Sequence, residues 1–91
     1  MKILINKTTK RILNKDANLS NMIYRTLNDI EIFLDQAYFK GNLVLEGAEN
    51  KFILTLNPMQ YLNSTLLLDL HDQIRYLIKC NKELKYPLEI N

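Results

Sequence analysis

The stretch "NLVLEGAENKFILTLNP", residues 42–58, constrains the fold more than any other part of the chain. Leu43 and Leu45, and then Phe52, Leu54 and Leu56, recur at period two, and Gly47-Ala48-Glu49-Asn50 supplies a loop between them. That alternation predicts an antiparallel hairpin with one face on a core and the other toward water. The rest of the chain must therefore cover one side of a sheet.

Two helical stripes are available as the cover. Ile23, Leu27, Ile30, Leu34 and Ala37 recur at spacings of four and three, widened by Met22, Phe33 and Tyr38. This first helix is expected to start near Leu19 or Ser20 and to stop at Gly41, whose free φ suits the position just past a helix end. A second stripe runs through Met59, Leu62, Leu66, Leu70, Leu77, Cys80 and Leu84, widened by Leu67, Ile74 and Ile78. Asn57 and Pro58 read as its cap and first helical residue, with Gln60 reaching back. Asn63-Ser64-Thr65 is a poor helix interior and marks a kink or restart.

At the start, "KILI" is short and β-branched, "NKTTK" is a polar turn, and Ile12-Leu13 a second apolar pair. The reading is a hairpin of Lys2–Ile5 with Thr8–Leu13. The expected fold is thus α+β, ββαββα, with two long helices packed on one face of a four-stranded antiparallel sheet. If Thr8–Leu13 is not a strand and "PLEI" is, the order becomes βαββαβ and ferredoxin-like. Ninety-one residues make one domain, 1–91.

Composition excludes more than it identifies. The chain is 47% hydrophobic and 24% charged, with two Gly and two Pro, which is ordinary for a folded domain. One cysteine and no apolar leader make a reducing cytoplasm the expected location. The most apolar run, "STLLLDLHDQ", meets Asp69 well before the ~18–20 residues a membrane span needs. No glycine-rich loop cradles phosphate, and His71 and Cys80, nine residues apart, fall on opposite sides of one helix. His71 reads as an exposed helix residue beside Ser64 and Lys82, and Cys80 as a small buried hydrophobe. Asp69 and Asp72 share a solvated flank with Thr65, Tyr76 and Glu83. No catalytic residue, cofactor, metal or small-molecule substrate is expected.

Two features point toward partners. Ile32 and Phe39 lie seven positions apart, opposite the main stripe of the first helix, and form an apolar strip with Arg25, Asn28 and Asp35 as its polar rim. The strip, with Tyr61 and Leu68 off the main stripe of the second helix, suggests a protein-binding module, docking on another protein or on a second copy of itself. Asn, Lys, Ile and Tyr supply 35 of the 91 residues, as in an AT-rich coding sequence. A small chain without chemistry and with that bias suits the genre of phage or mobile-element inhibitors, including anti-restriction and anti-CRISPR proteins. The other feature is basic: Lys2, Lys7, Lys10, Arg11 and Lys15 precede the first acid, Asp16. Five cations on the N-terminal hairpin would hold nucleic acid weakly, through phosphates, and release it by physiological salt. Edge lysines guarding a strand against aggregation would explain the same residues.

Overall fold

The computed structural model describes residues 2–48, 50–81 and 87–91. The elements are β1 (Lys2–Ile5), α1 (Lys7–Asn14), α2 (Ala17–Gln36), β2 (Gly41–Ala48), β3 (Lys51–Pro58), α3 (Ser64–Cys80) and β4 (Leu88–Ile90). They build one mixed sheet in the order β1-β2-β3-β4. β2 and β3 form the expected antiparallel hairpin, while β1 lies parallel to β2 and β4 parallel to β3. Two β–α–β crossovers are therefore joined back to back by a hairpin.

This corrects the ββαββα expectation, including its all-antiparallel sheet and its two helices. The strands and helices follow the order β-α-β-β-α-β, with the first helical segment doubled. The sheet is still not the split, ferredoxin-like one. There another strand separates the parallel pair, whereas β1 and β2 are direct neighbours here, as are β3 and β4. The cause is local: residues 7–14 coil instead of pairing. Asn6 is an N-cap whose side-chain oxygen accepts from the Thr9 amide at 2.8 Å. Thr9, Ile12 and Leu13, spaced i, i+3, i+4, turn inward, with Thr9 and Leu13 fully buried.

Sheet rows follow the alternation read from the sequence. Ile3, Leu43 and Leu56 form one inner row, and Ile5, Leu45, Leu54 and Ile90 the next. Phe52 and Leu88 close the third row beside Gly47. These residues join the buried stripe of α2, namely Leu19, Ile23, Leu27, Ile30 and Leu34, in one core.

Asp16 caps α2 by accepting from the Asn18 and Leu19 amides at 3.0 and 3.1 Å. At the other end the left-handed residue is Tyr38, with φ 57°. The Tyr38 amide donates to the Asp35 carbonyl at 3.1 Å and the Phe39 amide to the Leu34 carbonyl at 3.0 Å. That pair of bonds is a Schellman motif, with Leu34 and Phe39 as its accompanying apolar residues. Gly41 does not terminate the helix. It opens β2, where a Cβ would collide with the Asn57 carbonyl oxygen and lie 2.8 Å from the Phe39 ring.

The second helix also starts later than Asn57-Pro58 suggested. Those residues pair with Asn42 and Gly41. The Met59 amide then donates to the Lys40 carbonyl at 2.9 Å, and the Gln60 side chain accepts from the Lys40 amide. The would-be cap is used up in prolonging the ladder. Asn63 caps α3 instead, accepting from Leu66 at 2.9 Å, so "NST" is a helix start. α3 fully buries only Ile74, while Leu67, Leu70, Leu77 and Ile78 are half-buried. Beyond its end, Asn81 donates to the Thr26 hydroxyl and ties α3 to α2. Glu83 and Leu84, assigned to this helix from the sequence, lie outside the described residues, as does Lys82.

Candidate nucleic-acid interface

The first amide of β2 beyond the reach of β1 governs how α1 is held. β1 ends at Ile5, opposite Leu45, so among the described residues no strand lies beside Gly47 on that side. Its amide donates to the Thr9 hydroxyl at 2.8 Å, across 38 residues of sequence. Gly47 also lacks a side chain where Ile12 packs, since a Cβ there would stand 3.0 Å from the Ile12 Cδ1. α1 is thereby seated close on the sheet, with Thr9, Ile12 and Leu13 inward.

The opposite face of α1 is cationic. At about 100° per residue, Lys7, Lys10, Arg11, Asn14 and Lys15 fall within one arc centred opposite the buried stripe, and all five are exposed. Lys7, Arg11 and Lys15 form an i, i+4, i+8 row with steps of roughly 6 Å. Lys10 flanks that row. Among the described residues the ion pairs are Lys51–Glu89 at 3.7 Å and Arg75–Asp72 at 2.9 Å, and neither involves α1. Arg11 in the last turn and Lys15 at the C-cap suit the helix dipole, but the rest of the pattern works against the helix. Like charges at i, i+4 are mutually destabilising, and the first turn holds Lys7 but no acid where the helix dipole favours anions.

Lys2 does not belong to this group. It sits on β1 opposite Asn42, toward the start of β2, whereas Thr9 contacts β2 at Gly47. The five cations expected on a hairpin thus divide into three within α1, one at its C-cap and one on an edge strand. Protection of an edge strand accounts for Lys2 alone.

The Ile32–Phe39 strip does not exist as a surface. Phe39 is only 7% exposed, because the Schellman turn carries it off the helical path and into the core, while Ile32 is 48% exposed. Arg25, Asn28 and Asp35 are exposed on α2, but they rim no apolar pair. Cys80 is exposed instead of buried, and His71 is half-buried instead of exposed. Asp72 is engaged by Arg75, while Asp69 lines a groove beside α2. Among the described residues no three His, Cys, Asp or Glu side chains gather as a metal site, and no helix is long and apolar enough to cross a membrane. Comparisons with protein-family models, curated proteins and solved structures find no match to this chain.

Proposed function

We propose that the chain binds nucleic acid through the phosphate backbone, using the basic face of α1. The observation that carries this reading is the alignment of Lys7, Lys10, Arg11 and Lys15 on one exposed helix face, with no ion pair to any of them among the described residues. Such a face attracts polyanions in a salt-dependent way and reads no base sequence by itself. Asn14, on the same face, adds a hydrogen-bonding group for a sugar or phosphate oxygen. α1 carries no aromatic residue, so stacking on unpaired bases contributes nothing there. Partner capture through Ile32 and Phe39, the basis for an inhibitor of a larger host protein, has lost its strip.

The test is retention of a fluorescent duplex at low salt by the full chain and by a Lys10→Gln/Arg11→Gln variant. Wild-type retention that falls at least tenfold in the variant supports the reading. Equal retention by the two proteins overturns it.

A further inference from the structure

α2 ends and α3 begins at the end of the β2–β3 ladder away from Gly47, and that end of the molecule carries several exposed apolar side chains. A groove of about 320 Å³ runs between the helices, lined by Phe33, Ala37, Tyr38, Leu62, Leu66 and Leu70, with Asp69 and Gln60 on its walls. Beside it stand residues with almost no cover: Tyr38 is 86% exposed, Met59 76% and Tyr61 90%. Tyr38 holds its ring there despite a left-handed backbone, in the position glycine normally fills. A conformation of that kind, kept for a bulky side chain, is a pointer to function.

We propose that this end of the molecule is the interface of a two-fold symmetric dimer of the chain, with Tyr61 of each copy lying against the α2/α3 groove of the other. Three features single out a second copy as the occupant. Knob and groove are adjacent on one surface, since Tyr61 sits between the groove residues Gln60 and Leu62, so a two-fold axis joins each knob to a groove at once. The charges are also self-complementary. Lys40 is exposed, its backbone bonded to Met59 and to the groove residue Gln60, and Asp69 stands in the groove wall. Neither forms an ion pair among the described residues, and a two-fold axis that brings Lys40 of one copy to Asp69 of the other makes that contact twice.

Area is the third feature. Covering Tyr38 and Tyr61, at about 150–250 Å² each, with Met59 and Leu66 removes roughly 600 Å² per copy from water. The remaining groove residues, Gln60, Leu62, Asp69 and Leu70 among them, bring that toward the ~800 Å² per partner of an ordinary specific interface. The patch and the basic face of α1 contact the ladder about six residues, or ~20 Å, apart. Dimerisation and nucleic-acid binding are therefore separable by substitution.

Sedimentation of the full chain over a range of concentrations tests the proposal. The expected result is a monomer–dimer equilibrium, seen against the 10.7 kDa chain, that Lys10→Gln/Arg11→Gln leaves unchanged. Tyr61→Glu and Leu66→Glu each weaken it at least tenfold. Lys40→Glu and Asp69→Lys also weaken it singly, and together they restore it. Far-UV circular dichroism checks that each variant is folded. If a variant is not, NMR shifts on dilution of the wild type supply the readout, expected at Tyr38, Tyr61 and Leu66. A monomer at all concentrations up to about 1 mM, a dimer indifferent to the glutamate variants, a charge-reversed pair no tighter than its singles, or dilution shifts confined to other residues would each overturn the proposal.

Discussion

The Gly47 amide donates to the buried Thr9 hydroxyl at 2.8 Å, and this bond fixes the rotation of α1 against the sheet. With Thr9 inward, the four cations of α1 face outward. Thr9→Val keeps the side-chain shape and removes the acceptor, leaving a sheet amide without a partner. The expected loss is about 1–3 kcal/mol, read from denaturant unfolding. A loss below ~0.5 kcal/mol would mean that apolar packing by Ile12 and Leu13 alone seats the helix.

Ile32 and Phe39 are expected to behave as opposites. Ile32→Glu changes stability by no more than ~0.5 kcal/mol, as is usual for surface substitutions. Phe39→Glu places a carboxylate against Leu34 and Gly41 and unfolds the chain or drives it to expanded states. Circular dichroism melts of the two single variants decide. A folded Phe39→Glu protein with a wild-type melt would return Phe39 to the surface.

Tyr38→Gly relieves the left-handed backbone at the end of α2. It should raise stability by about 1 kcal/mol, measured at a concentration dilute enough to keep the chain monomeric. Gly41→Ala acts in the other direction, because its Cβ meets the Asn57 carbonyl and the Phe39 ring. A Gly41→Ala protein as stable as wild type would show that β2 opens without that close contact.

Truncations within the two long helices should differ. Leu34 is fully buried, so Leu34→Ala should cost about 2–5 kcal/mol. Leu70 is half-buried beside the open groove, and Leu70→Ala should cost less than ~2 kcal/mol. Equal losses at the two sites would mean that α3 is buried as deeply as α2.

These residues also show what the sequence made legible. The period-two run 43–56 gave the central hairpin and its inward face, and the 23–34 stripe gave the buried side of α2. Both signals repeat over several residues and are reinforced by burial. The misreadings fall where a distant pairing recruits a local signal, as at Asn57–Gln60, or where one of two local signals wins, as at Asn6 and Tyr38. Asn57, Pro58 and Gln60 have the makings of a helix start, but pairing with residues 40–42 recruits them to the sheet. Asn6-Lys7 reads as a turn, but Asn6 caps a helix instead, and that helix brings Thr9 to the Gly47 amide. Phe39 was misplaced because the chain leaves α2 at Tyr38, a bulky residue in a role expected of Gly41. The identity of the basic residues was plain from their charge alone. Their gathering on one helical face, with Lys2 left apart, was not.

The salt dependence of nucleic-acid binding tests the central claim most directly. The observable is the anisotropy of a fluorescent duplex titrated with the full chain across a series of salt concentrations. Four phosphate contacts predict a log–log slope of about −3 to −4, with affinity largely lost by physiological salt. Lys10→Gln/Arg11→Gln should reduce the steepness by about two. No binding at low salt, or a slope unchanged in that variant, would contradict the assignment of the α1 face as the binding surface.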